Sequence, residues 1–285
     1  DKFYGAIELQ KLIVAREHEN LEDIISRSYP YVLDHEKISD CIEKIKDYAE
    51  DSIPVLLEDG TIAGIITAQD IVEVVDDEMG DDYAKLGGLT AEEDLEEKTS
   101  ESVKKRLPWL IILLFLGMGV SAVVGMFESV VAVIPIVMCF QSLILDMAGN
   151  VGTQSLAVTI RVLMDENLTG KQKFMLVIKE MKIGFSNGLI LGVMAFLFLG
   201  MYIHFLKQYK LPYAMLVSGC VGLSLIGAMV VSSLVGTLIP MFFKKIKVDP
   251  AVASGPLITT INDLVAIVVY YGLAMAVLID MLHLA

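Results

Sequence analysis

Of the chain's 285 residues 55% are hydrophobic, and the mean hydropathy is +0.63, which excludes an ordinary soluble globular protein of this length. The net charge of −14 is segregated: residues 1–107 hold 28 of the 36 Asp and Glu and carry a net −16, whereas residues 108–285 carry +2. An acidic polar part joined to a membrane part argues against nucleic acid as a partner and suits cations, with simple solubility as the other reading of scattered acids. Three cysteines (Cys41, Cys139, Cys220) show no paired spacing and four histidines show no metal-ligand spacing, so neither a disulfide framework nor a zinc site is expected.

The opening residues read as the middle of a fold, so more protein is expected ahead of Asp1. "FYGAIELQKLIV" (3–14) aligns with "IAGIITAQDIVE" (62–73) at a constant offset of 59, which suggests a repeated strand–turn–helix unit. "KISDCIEKIKDYA" (37–49) has the pattern of an amphipathic helix. "SIPVLLEDGTIAGIIT" (52–67) predicts two strands joined at Asp59-Gly60, a hairpin signal.

"QDIVEVVDDEMGDDYAKLGGL" (69–89) follows with Asp70, Glu73, Asp77 and Asp81 at near-helical spacing, and Glu78 and Asp82 beside them. Like charges one turn apart repel. A divalent cation would relieve that repulsion; a solvated helix end would tolerate it. "TAEEDLEEKTSESVKKRL" (90–107) predicts a polar helix, acids first and bases last, as the helix dipole prefers.

Five apolar stretches long enough to span follow, at 108–127, 130–160, 184–206, 213–243 and 256–282. Lys and Arg in the connections alternate by side. With the N-terminus inside, eleven fall in the cytosol and two outside, which predicts N-in, C-out. Pro135 is expected to kink the second span.

Two spans carry polar groups. In "SLILDMAGNVGTQSLAVTIR" (142–161), Asp146, Asn150 and Gln154 recur at four-residue spacing with Gly149 beside them, either a hydrated path or a packing face. In "GPLITTINDLVAIVVYYGLAMAVLI" (255–279), Asp263 lies on the order of 10 Å past the start at Pro256, and Asn150 on the order of 16 Å before Arg161. Both fall in the cytosolic half. Thr259 and Thr260 share the face of Asp263. An intramembrane carboxylate is costly and faces protein or water. Oxygen ligands without thiolate or imidazole point to a hard cation. Mg2+ keeps its waters and uses one or two carboxylates. Two copies of the chain about an axis would supply two, so a homodimer with an axial pore is the economical arrangement.

The stretch "PVLLEDGTIAGIITAQDIVEVV" resembles a CBS domain, and residues 1–14 resemble the tail of a preceding one. "SVKKRLPWL" (102–110), "GNVGTQSLAVTIR" (149–161) and "VDPAVASGPLITTINDL" (248–264) together resemble the MgtE family of magnesium channels. The family ordinarily carries a helical domain and a complete first CBS domain ahead of the part matched here. The resemblance implies a five-span α-helical membrane protein with a cytosolic α/β CBS-type domain, a homodimer in a bacterial plasma membrane. It implies that Asp263 is the pore carboxylate holding hydrated Mg2+, and that Gly149 and Asn150 line the pore. Asp70, Glu73, Glu78, Asp81 and Asp82 match acids that bind regulatory Mg2+ and close the pore, with Asp77 and Asp249 as further candidates. Some members bind ATP, although no phosphate-cradling glycine loop is present here.

The expected organisation is a first CBS tail (1–16), a second CBS domain (17–84), a connecting, plug-like helix (85–107) and a five-helix membrane domain (108–285). The expected activity is gradient-driven Mg2+ conduction gated by cytosolic Mg2+. A cation–proton exchanger with Asp263 titrating, and a membrane-anchored sensor that conducts nothing, are the competing readings. No nucleophile–base pair, nucleotide loop or catalytic metal cluster supports an enzyme.

Overall fold

The computed structural model describes residues 2–15, 20–36, 52–91, 93, 95–165 and 168–281. They divide into two compact units, residues 1–81 and 82–285. The helix expected over 37–49 lies outside the described residues.

In the first unit, β1 (Val32–Leu33) runs parallel to β2 (Ser52–Leu56), and β2 runs antiparallel to β3 (Ile62–Thr67), in the order β1-β2-β3. The hairpin turns where the sequence predicts. The Asp59 carboxylate accepts from the Thr61 backbone N–H (2.9 Å) and hydroxyl (2.6 Å), and Gly60 takes φ +82°, which a glycine adopts without strain. Val32 and Ile53 form the small core, with Val55 and Ile66 against them. Short helices α1 (Leu9–Val14) and α2 (Leu21–Ile24) precede the sheet. The strand part of the first repeat copy is an extended segment with isolated pairings, Lys2 to Thr61 and Ala6 to Ser26.

β3 passes directly into α3 (Ala68–Leu86). Thr67 and Asp70 start it with a reciprocal pair: Asp70 Oδ2 accepts from the Thr67 N–H (2.8 Å) and hydroxyl (2.7 Å), and Thr67 Oγ1 accepts from the Asp70 N–H (3.3 Å). This satisfies donors that a helix start otherwise leaves open. The helix ends at a glycine turn in which Gly88 takes φ +84° and the Leu89 N–H donates to the Ala84 carbonyl.

The second unit contains five helical segments long and apolar enough to cross a membrane among the described residues: Thr99–Met126, Pro135–Leu163, Gly170–Leu206, Leu211–Lys245 and Gly255–Leu278. Their helices are α4 (Thr99–Met126), α6 (Gln141–Asp165), α7 (Gly170–Met201), α8 (Leu211–Lys245) and α9 (Gly255–Ala274), with a short α5 (Glu128–Val133) after α4. Glycines let α7 and α8 touch backbone to backbone. A Cβ on Gly192 would lie 2.7 Å from the Gly222 carbonyl oxygen, and a Cβ on Gly222 would lie 2.7 Å from that of Gly192. One core gathers Ile144, Val221, Leu225, Ile267, Tyr270 and Tyr271 from α6, α8 and α9. Two tyrosines tie α9 to the approach to α6: Tyr270 donates to the Val137 carbonyl (2.7 Å) and Tyr271 to Gln141 Oε1 (2.6 Å).

Three expectations on element limits are corrected and a fourth holds. The polar helix expected over 90–107 begins only at Thr99. Before it, Thr90 donates through both its N–H and its hydroxyl to the Lys105 carbonyl, Glu97 pairs with Lys105 (2.8 Å) and Glu93 with Arg106. The acids fold back onto the bases, where a single helix would have stacked them on one another. The Arg106 hydrogen bond holds the Glu93 carboxyl below the usual range. The second span does not run from 130 with a kink at Pro135. Ile134 leaves helical geometry (φ −129°, ψ 73°), as a residue before proline prefers, and Pro135 opens a 3-10 turn, Pro135–Phe140. The third span begins at Gly170, fourteen residues before the apolar run, because Thr169 and Gln172 form a capping box. The fifth follows its predicted start: Ser254 caps Leu257 and Pro256 sits in the first turn.

Candidate functional site in the membrane domain

Contacts between α6 and α9 run antiparallel. Val137 and Gln141 meet Tyr270 and Tyr271, whereas Thr153 meets Thr259, hydroxyl to hydroxyl at 3.4 Å. That register puts Asp263 level with the turn from Asp146 to Asn150. Small residues allow the approach: a Cβ on Gly149 would lie 3.1 Å from Thr259 Cγ2.

The predicted pore residues lie at one level of α6 and α9, with Gly149 buried between the helices. Asp146, Asn150 and Gln154 are exposed, and Thr259, Thr260 and Asp263 are half-buried. Asn150 donates from Nδ2 to Asp146 Oδ1 (3.2 Å). Two of the threonine hydroxyls are engaged within their own helices: Thr153 donates to the Gly149 carbonyl (3.0 Å) and Thr260 to that of Pro256 (2.9 Å). Among the described residues no three His, Cys, Asp or Glu side chains converge as a dehydrated metal cage would need.

The predicted regulatory acids are distributed along α3. Asp70 is committed to the helix start through Oδ2. Glu73 and Asp77 are exposed and Asp81 is half-buried. The Glu78 side chain lies outside what is described. In the second unit, Asp82 and Asp249 flank one cation, Lys85, whose Nζ lies 3.9 Å from Asp82 Oδ1 and 2.9 Å from Asp249 Oδ2. Asp249 also caps the turn Pro250–Val252 through the Ala251 N–H (2.9 Å). Lys85 did not stand out in the sequence, because its partner lies 164 positions away.

These features define a helical integral membrane protein with a polar face set in its bundle and a strand–helix unit ahead of it. Residues 141–273 match the MgtE family, described as divalent cation transporter, and residues 21–77 match the CBS domain. The chain thus carries an MgtE-family domain in its membrane half and a CBS domain ahead of it. Curated relatives include the magnesium transporter MgtE of Enterococcus faecalis, 37% identical over 270 residues, and that of Bacillus subtilis, 32% identical over 275. The magnesium transporter MgtE of Thermus thermophilus is 30% identical over 273 residues. Each alignment covers 95% of this chain but only 57–58% of the relative, so the chain spans little more than half the length of these proteins.

Proposed function

We propose that the chain conducts Mg2+ across a bacterial plasma membrane, down its gradient, through a path lined by α6 and α9. The observation that carries this reading is the polar face itself. Asp146, Asn150 and Gln154 are exposed and Asp263 half-buried on helices long and apolar enough to cross a membrane. Such groups are costly against lipid and call for protein or water over them. A second copy of the chain across an axis covers the face, encloses water and brings two Asp263 carboxylates to one hydrated ion. A carboxylate, an amide and backbone oxygens suit Mg2+ that keeps its waters. The relatives' activity points the same way. The N-terminus lies in the cytosol and the C-terminus outside, in line with the basic connections.

Cytosolic Mg2+ closes the path by binding the acids of α3 and Asp249, provided that it binds the closed arrangement more tightly than the open one. The test is Mg2+ flux into proteoliposomes, comparing the wild-type chain with Asp263→Ala at matched reconstitution. Flux lost in the variant supports the path. Equal flux in both removes it. Uptake driven by an imposed pH gradient at zero potential would replace conduction with exchange.

A further inference from the structure

Next to Asp263 in sequence stands a residue of opposite situation. Asn262 is fully buried, and neither its amide nitrogen nor its oxygen has a hydrogen-bond partner among the described residues. Thr159, Ser232 and Ser233 each leave one hydroxyl in that state; Asn262 leaves both a donor and an acceptor. An unpaired amide in an apolar bundle is unfavourable, and an aliphatic residue of similar size would cost less. Stability alone therefore does not account for it.

The amide has one place to go. Gly152 of α6 leaves a notch, and a Cβ there would lie 1.7 Å from Asn262 Nδ2. The far wall is fixed as well, because a Cβ on Gly236 of α8 would lie 2.2 Å from the Gly152 carbonyl oxygen. A flat trigonal amide enters such a slot; a tetrahedral branched end is thicker. Turning α9 by one residue would bring Ile261 or the Asp263 carboxylate to the notch, and neither matches it in both shape and charge.

We infer that Asn262 is a positioning residue: its amide, seated in the Gly152 notch, fixes the rotation of α9 about its own axis and so sets the direction in which Asp263 meets the ion. This rests on the reading of Asp263 as part of the ion path. Displacing a group by about an ångström at a site of this kind changes its performance by about tenfold or more. Asn262 itself touches no ion.

The test uses the full chain in proteoliposomes with Mg2+ as the probe. It compares Asn262→Ala, Asn262→Leu, Gly152→Ala, the double variant Asn262→Ala/Gly152→Ala, and Asp263→Asn. The half-saturating Mg2+ concentration and the maximal flux are read separately, with thermal stability alongside. The three single changes at the notch are expected to raise half-saturation by about tenfold. The double variant is expected to restore it, because the new methyl group occupies the vacated notch. Unchanged half-saturation in the single variants, with Asp263→Asn inactive, overturns the role of Asn262 and leaves the path standing. Wild-type flux in Asp263→Asn overturns the path and this inference with it. Single variants that lose stability but keep half-saturation make Asn262 a packing residue and also overturn the proposal.

Discussion

Lys85 Nζ lies 2.9 Å from Asp249 Oδ2, joining the last turn of α3 to the loop ahead of α9. The side chains are 25% and 37% exposed, so the bond itself contributes at most about 1 kcal/mol. Its larger effect is on charge, since Lys85 supplies a fixed cation to the two acids, Asp82 and Asp249, that a divalent ion would also seek. Lys85→Met is expected to lower the Mg2+ concentration at which flux is inhibited, and a Mg2+ titration of reconstituted flux measures it. A rise in that concentration would mean that Lys85 supports the closed arrangement directly.

Neutralising Glu78, Asp81 and Asp82 together to Gln and Asn is expected to leave a path that stays open at high cytosolic Mg2+. The measurement is flux against internal Mg2+ in oriented vesicles. Inhibition equal to wild type would remove these acids from regulation.

Acid should loosen the start of α3. Hydrogen bonds from the Thr67 backbone and hydroxyl hold the Asp70 carboxyl below its ordinary range. A carboxyl depressed in the folded state contributes stability above its unfolded value and loses it as pH falls through the folded one. Melting temperature followed from neutral pH to about pH 3 should fall more in the wild type than in Asp70→Ala. Parallel curves would assign the acid sensitivity elsewhere.

The α7–α8 contact leaves no room for a side chain. Ala at Gly192 or Gly222 sets a methyl group against a backbone carbonyl, which cannot swing aside as a side chain can. Each change is expected to destabilise the membrane domain by about 1–3 kcal/mol. A thermal melt in detergent reads it, and an unchanged melting temperature would show that the helices separate freely here.

Where local chemistry decides, the sequence was legible. Asp59-Gly60 announced a hairpin, and Ser254 with Pro256 announced the start of α9, because each of those signals acts over a few residues. The polar face from Asp146 to Gln154 was legible through its spacing. Span limits were not, since an apolar count begins where hydrocarbon begins, whereas Thr169 starts its helix a capping box earlier. The segment before Thr99 misled because its acids and bases also suit a helix, and the pairing of Glu93 and Glu97 with later bases is a matter of chain reversal. Asn262 gave no signal, since a single amide in an apolar run looks the same whether it faces lipid, water or a glycine. Gly184, Gly188 and Gly192 recur every four residues and would have disclosed the α7–α8 contact had that period been sought.

The two tyrosine bonds give α9 a fulcrum. Tyr270 and Tyr271 hold the helix at the end remote from Gly255. From Tyr270 to Asp263 is about 10 Å along the axis, and from Tyr270 to Gly255 about 22 Å. A tilt about that pin moves the Gly255 end roughly twice as far as the carboxylate. Force applied near Asp249 would thus reach Asp263 geared down about twofold and with corresponding mechanical advantage, so that a coarse displacement at the Gly255 end becomes a fine adjustment of the Asp263 carboxylate.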